Sequence, residues 1–246
     1  MINNQLSPPE HAGSVRAGMI SKKIETIILV GFCSAIIFGC NSPQKKTERL
    51  PFFGPRQGTY MHHVKGEAKI DTVYHIIPNF KVVDQDGDTI TEANLAGKVY
   101  VADFFFTSCP SICPITEANM LTVQKHFNKV NDFRLISFSI DPKHDSAGRL
   151  KRYATRLGAD TKQWYFVSGD EDQVDDLAQK GFMASAQKDS AAPGGYLHSG
   201  AFMLIDKDKR VRGVYNGTDT AEVARLIHDI PVLYKEYNED VKDGAK

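Results

Sequence analysis

The chain has 246 residues, 41% of them hydrophobic and 24% charged, a composition that fits one globular domain with extensions. Its 30 basic residues balance 30 acidic ones, so no basic surface indicates nucleic acid and no charged tail indicates a polymeric partner. The four cysteines fall into two pairs, Cys33 with Cys40 and Cys109 with Cys113, whereas a disulfide-stapled scaffold spreads its cysteines through the domain.

The first 40 residues have the pattern of an export signal. Two lysines precede an apolar run over residues 24–38, and Cys40 directly follows Gly39. This resembles a bacterial lipoprotein signal, whose cleavage leaves the cysteine as the lipid-carrying first residue. Met19 is a candidate start. A retained signal anchor is the alternative, although the run is shorter than the roughly 20 residues of a comfortable transmembrane helix. Both interpretations predict an exported, membrane-anchored domain that faces the periplasm.

Composition divides the chain into four parts: a leader (1–40), a tether with an irregular segment (41–72), a folded domain (73–238) and a polar tail (239–246). The polar, lysine-rich residues that follow the leader suit a flexible tether between membrane and domain. Three residues before the domain have no role that the sequence reveals: Cys33, His62 and His63.

Within the domain, short apolar strands alternate with helices. The predicted strands are Tyr74–Ile77, Phe80–Asp84, Thr89–Thr91, Val99–Phe106, Phe133–Ile140, Trp164–Val167, Ala201–Ile205 and Val211–Tyr215. The predicted helices run from Ile115 to Lys129, from Ser146 to Gly158, from Asp170 to Gly181 and from Asp219 onward. This order predicts an α/β, thioredoxin-like fold: a mixed central sheet, helices on both faces and an N-terminal hairpin extension.

The strongest chemical signal is the pair Cys109 and Cys113, which follows the most apolar strand. Four positions apart at a strand-to-helix junction, their sulfurs can converge, and the helix dipole favours a thiolate there. The pair could exchange disulfides or bind a soft metal ion, and buried inert thiols are the plain alternative. Three intervening residues, where the commonest thioredoxin-like motif has two, weaken the redox interpretation. A closed zinc site needs four ligands, whereas two thiolates and one imidazole suit copper.

Among the eight histidines, His198 is the best candidate for the third ligand. It stands just before a predicted strand, after the small-residue loop Ser185–Gly195, which can approach another backbone closely. In a thioredoxin-like fold the segment entering that strand lies against the cysteine turn. We therefore expect His198 to complete the set with the two cysteines.

These motifs resemble the Sco/SenC family of copper-binding, thioredoxin-like proteins. The resemblance extends from about Phe80 to Ile230 and is carried by Asp84–Gly87, Phe105–Pro114, Phe138–Pro142, Trp164–Gly169 and His198-Ser199 ahead of Asp206. In one departure, Leu197 stands where family members often have an acidic residue before the histidine. The three ligand positions are intact.

The resemblance implies a membrane-tethered metallochaperone that supports copper-site assembly in cytochrome c oxidase. Cys109, Cys113 and His198 would bind one copper ion per chain, as Cu(I) or Cu(II), and Asp141 would orient the histidine or tune the site. The loop Ser185–Gly195 would act as a mobile lid. The implied partners are oxidase subunit II or another copper or thiol client, and a copper donor protein.

Three functions remain open at this stage, the least supported being a redox- or copper-responsive sensor that signals through a partner. A metallochaperone binds and hands over copper without turnover, and it needs His198. A thiol–disulfide oxidoreductase reduces cysteines of an oxidase subunit or another exported protein, and it needs only Cys109 and Cys113. The two roles can coexist, because the cysteine pair must be reduced before it can bind copper.

Overall fold

A seven-stranded sheet organises the chain, whose computed structural model describes residues 48–64, 67–188 and 196–244. The strands are β1 (Arg56–Val64), β2 (Glu67–Tyr74), β3 (Lys81–Asp84), β4 (Thr89–Thr91), β5 (Val99–Phe105), β6 (Phe133–Ser139), β7 (Trp164–Ser168), β8 (Ala186–Lys188), β9 (Tyr196–His198), β10 (Ala201–Ile205) and β11 (Val211–Asn216). The α-helices are α1 (Cys113–Phe127), α2 (Ala147–Leu157), α3 (Glu171–Asp176), which continues into a π-helical turn (Leu177–Gly181), and α4 (Thr220–Gly244).

The sheet has the order β11-β10-β5-β6-β7-β3-β4 and is mixed. Its centre, β5-β6-β7, is parallel, and the outer strands pair antiparallel. All seven residues of β5 are buried, as expected for a central strand covered on both faces. Helices cover both faces, and the α/β thioredoxin-like architecture predicted from the sequence is confirmed.

Several local predictions are also confirmed. The hairpin β3–β4 forms as expected. Asp170 caps α3, because its side chain accepts a hydrogen bond from the Gln173 amide. Gly158 ends α2 in the left-handed conformation (φ 76°), in which its amide bonds the carbonyls of Ala154 and Thr155.

The segment before the domain was predicted to be irregular, and this was wrong. Its residues form the two-stranded hairpin β1–β2, which has its own antiparallel register. Those of its side chains that are described are largely exposed. The strands therefore lack the apolar alternation by which a strand packed on a core is recognised.

Two further expectations need correction. Residues Tyr74–Ile77 do not form a strand: β2 ends at Tyr74, and the His75 ring donates a hydrogen bond to the Gly181 carbonyl (2.7 Å), which makes it a structural histidine. The loop Ser185–Gly195 contains strand β8, which pairs with β9. Residues 189–195, the rest of the predicted lid, lie outside the described residues.

The predicted leader also lies outside the described residues, so the lipid on Cys40 and the tether stay predictions. Among the residues that the structure does describe, no helix is long and apolar enough to span a membrane.

Candidate metal and thiol site

Cys109 and Cys113 meet at the carboxyl end of β5. Cys109 lies in the turn, where its amide bonds the Phe106 carbonyl (3.1 Å), and Cys113 is the first residue of α1. Both are buried thiols in the structure, and they share a hydrogen bond. Pro114 occupies the first turn of the helix, where its missing N–H costs no hydrogen bond. The turn therefore brings the two sulfurs together, as the spacing predicted.

The two thiols differ in acidity. Burial opposes ionisation of Cys109, but hydrogen bonds from the backbone amides of Ser111 and Cys113, and from the Cys113 thiol, outweigh it and lower the pKa of Cys109. Burial raises the pKa of Cys113, and a hydrogen bond from the Phe106 backbone only partly offsets this effect. Cys109 is therefore the thiol that ionises first, as a nucleophile or first metal ligand must.

A buried carboxylate, Asp145, holds the start of the cysteine turn. It accepts hydrogen bonds from the Thr107 amide (3.0 Å), from the Thr107 hydroxyl and from the Ser139 hydroxyl (2.6 Å). Arg149 closes the network, since its Nε donates to Thr107 Oγ1 (2.6 Å) and lies 3.5 Å from Asp145. The carboxylate thus ties the residue two positions before Cys109 to β6 and α2.

Two more carboxyl groups, Asp103 on β5 and Glu117 on α1, are buried behind the cysteines. Burial raises the pKa of Asp103 to about 7, and hydrogen bonds with Ser137 and Glu117 partly offset the effect. Burial, followed by the charge of Asp103, raises the pKa of Glu117 well above its usual range. Within the described residues no donor reaches either Glu117 oxygen. Glu117 therefore keeps its proton, and in that form it can donate to Asp103.

We expect this pair to make stability fall as the pH rises. Folded Asp103 holds its proton up to about pH 7, whereas the unfolded chain releases it near pH 4, so in this window the folded state binds more protons. Asp103→Asn should therefore gain stability relative to the parent, by on the order of 4 kcal/mol between pH 4 and pH 8. Urea unfolding across this range measures the change. The exposed Asp88→Asn variant is the control, and an Asp103→Asn effect that is equal at every pH would contradict the assignment.

The structure places Gly200, two residues after His198, beside the cysteine turn. His198 ends β9, and Gly200 follows it with φ 61°. A Cβ on Gly200 would lie 3.0 Å from Ile112 Cδ1 and 3.2 Å from Thr116 Cγ2, so a glycine allows the close approach. The His198 side chain lies outside the described part of the chain. Among the side chains that are described, no three His, Cys, Asp or Glu residues converge on a metal position.

Asp141, predicted as a partner of the histidine, is buried at the carboxyl end of β6. Its carboxylate contacts Nδ1 of the exposed His144 at 2.8 and 2.9 Å, and its amide donates to Ser139 Oγ (3.1 Å). In the structure, Asp141 is thus a carboxylate that binds an imidazole. Its relation to His198 stays a prediction.

Cys109 opens onto a cleft of about 320 Å³. The lining residues are Thr107, Cys109, Pro114, Glu117, Tyr153, Arg156 and Leu157. A partner or a metal ion can approach the lower-pKa thiol from this side, whereas Cys113 lies behind it. The arrangement permits thiolate attack on a disulfide and binding of a soft cation.

A model of the SCO1/SenC family matches residues 68–231, which include both cysteines and His198. The chain belongs to the SCO1/SenC family. This SCO1/SenC chain is 32% identical over 167 residues to the SCO1 protein homolog of Bacillus subtilis, an alignment that covers 67% of this chain and 86% of that protein.

Solved structures of the family share the fold. A SCO1/SenC family lipoprotein from Bacillus anthracis superimposes with a TM-score of 0.60 at 30% identity, covering 65% of this chain and 95% of that one. BsSco, described as a Sco-family cytochrome c oxidase assembly protein with a disulfide switch, gives 0.58 at 32% identity, covering 65% and 93%. Arabidopsis thaliana ScoI, solved with copper bound, shares the fold at 21% identity (TM-score 0.55, covering 66% and 99%).

The sequence interpretation predicted the meeting of the cysteines, which the structure shows, but missed the buried carboxyl groups around them; the role of His198 stays a prediction. Asp103, Glu117 and Asp145 look like surface carboxylates in the sequence. Only Asp103 gave a signal, as an acidic residue inside the apolar run of β5.

Proposed function

We propose that this chain binds one copper ion through Cys109, Cys113 and His198 and delivers it to the copper site of cytochrome c oxidase. The observation that carries the proposal is the meeting of two inequivalent thiols at a turn against which Gly200, two residues after His198, packs. Two thiolates suit Cu(I), and an added imidazole also accommodates Cu(II). Copper bound to Arabidopsis ScoI, which has the same fold, supports the assignment.

The cellular setting is part of the proposal. The chain would be exported and held at the bacterial membrane, facing the periplasm, by a lipid on Cys40 or by a retained anchor. The related lipoprotein of Bacillus anthracis supports this arrangement. Asp141, which already binds one imidazole, would orient His198. Oxidase subunit II would be the client, and a separate protein would donate the copper.

Thiol–disulfide exchange with the client's cysteines is the second candidate. The lowered pKa of Cys109, its position at the cleft and the buried Cys113 behind it together form an attacking and a resolving thiol. BsSco, described as having a disulfide switch, supports this alternative. The two functions differ in their need for His198.

Replacing His198 by alanine separates them. If His198 is a ligand, His198→Ala should lower Cu(II) affinity at least about tenfold and remove the thiolate-to-copper absorption of the parent, while the reduction potential of the cysteine pair stays unchanged. Copper titration with optical and EPR spectra makes the measurement. His126→Ala, on the exposed side of α1, is the control. If His198→Ala keeps the Cu(II) affinity and the spectrum of the parent, His198 is excluded as a ligand and thiol–disulfide exchange is favoured.

A further inference from the structure

The cleft at Cys109 continues into a second, basic cleft of about 260 Å³. Thr107, Tyr153 and Arg156 line both. Arg149 and Arg152 complete the wall of the second cleft. The two adjoining clefts form one groove, which three guanidinium groups and the Cys109 thiol line together. These arginines have no role in the copper binding or the thiol chemistry proposed above.

Helix α2 presents the three arginines on one face, because positions 149, 152 and 156 are spaced by three and four residues. Two of them are positioned by neighbours. Arg149 donates to Thr107 Oγ1 (2.6 Å), and the Arg156 guanidinium lies 5.2 Å from the centre of the Tyr153 ring. Such contacts limit the freedom of the side chains and leave donors available for a bound anion.

The charge of the groove is only partly balanced from within. Asp145 is buried, accepts hydrogen bonds from Thr107 and Ser139, and offsets the charge of Arg149 at 3.5 Å. Glu117 also lines the groove, but its side chain is buried. Within the described part of the chain, Arg152 and Arg156 form no ion pair with a carboxylate. The guanidinium groups therefore leave a net positive surface beside Cys109.

We propose that this groove is a carboxylate-binding subsite for an acidic segment of the protein client that meets Cys109. The inference rests on the proposed function, in which Cys109 takes part either in copper transfer to that client or in thiol–disulfide exchange with it. Guanidinium groups bind carboxylates through paired hydrogen bonds, so they favour clients with an acidic residue beside the reacting cysteine. Charge complementarity of this kind chiefly raises the rate of productive encounter.

Copper-free disulfide exchange tests the subsite directly. The probes are the symmetrical disulfides of two tripeptides of nearly equal size, the acidic Glu-Cys-Glu and the neutral Gln-Cys-Gln. The Cys109 thiolate attacks one probe sulfur and forms a Cys109–probe disulfide. The probe S–S bond breaks, and the other half leaves as a thiolate that takes a proton from solvent. Stopped-flow rates are measured on the purified chain in non-ionic detergent, with Cys33 and Cys40 replaced by serine.

The parent should react about tenfold faster with the acidic probe than with the neutral one at low salt, and 0.5 M NaCl should reduce the ratio severalfold. Arg152→Gln with Arg156→Gln should bring the ratio close to one without changing the neutral rate, and the corresponding lysine variants should restore part of it. The matched control, Lys143→Gln with Lys151→Gln, removes two cations that do not line the groove and should keep the parental ratio.

A parental ratio of one, or a ratio unchanged by the two glutamines, would overturn the subsite. Inorganic phosphate that blocks the acidic probe at micromolar concentration would identify a site for small anions and overturn the protein-segment assignment. If the parent chain prefers the acidic probe but binds no copper, the copper proposal is refuted and the subsite stands. A Cys109 that reacts with neither probe would overturn the subsite, while the copper titration would still decide the copper proposal.

Discussion

Replacing Cys109 or Cys113 by serine is expected to lower the affinity of the chain for Cu(I) by more than about 100-fold. Cu(I) prefers soft thiolate ligands, whereas a serine hydroxyl is hard and stays protonated at neutral pH. Mutating a group that merely orients a ligand already costs about 10–100-fold in metal affinity, so losing the ligand itself should cost more. Anaerobic competition against a chromophoric Cu(I) chelator measures the affinity.

Ser111→Ala is the matched control for the cysteine variants. The Ser111 hydroxyl lies 3.6 Å from the Cys109 sulfur, so its removal changes the same turn by one oxygen and leaves both thiols in place. We expect its Cu(I) affinity to stay within about tenfold of the parent. A serine variant at position 109 or 113 that binds Cu(I) as tightly as the parent would refute the assignment of that cysteine as a ligand.

The second large effect is expected at Asp145. Asp145→Ala should lower the free energy of unfolding by about 3 kcal/mol or more, because it leaves the Thr107 amide and two hydroxyl groups without their buried charged acceptor. Since Thr107 begins the cysteine turn, the same variant should also weaken Cu(I) binding. Urea unfolding of the metal-free chain measures the first effect, and chelator competition measures the second.

Asp170→Ala provides the comparison for Asp145. It makes the same chemical change at an exposed helix cap, where the carboxylate accepts one hydrogen bond from the Gln173 amide. Loss of such a cap costs about 1 kcal/mol and should leave copper affinity unchanged. Equal destabilisation by the two variants would show that Asp145 does not anchor the turn. An Asp145→Asn variant with parental stability would show that its charge is dispensable.

The asymmetry of the two thiols suits both candidate functions. Metal binding requires deprotonated thiols, and the first proton is released more readily from Cys109 than from Cys113. Disulfide exchange requires the same order, with the accessible thiolate attacking first. The pair by itself therefore does not choose between the functions. The decision depends on His198.

Much of the fold could be predicted because its signals are local. The apolar run of β5 was recognised from its composition, and Asp170 with Gln173 marked the start of α3 three residues apart. The hairpin β1–β2 was missed for the opposite reason: its described side chains are largely exposed, so no hydrophobic period marks the strands. Strand β8 was missed because three residues in a small-residue segment carry too little pattern.

The sequence by itself determined the α/β class, the cysteine pair and the histidine segment, because spacing and alternation encode them within short stretches. Only the tertiary structure decided the surroundings of those thiols. Asp145 reaches Thr107 across 38 positions, and Arg156 borders the Cys109 cleft from another helix. A carboxylate or an arginine looks alike in a sequence whether it is solvated or buried. Its pKa, its partners and its role depend on burial and distance, which packing alone creates.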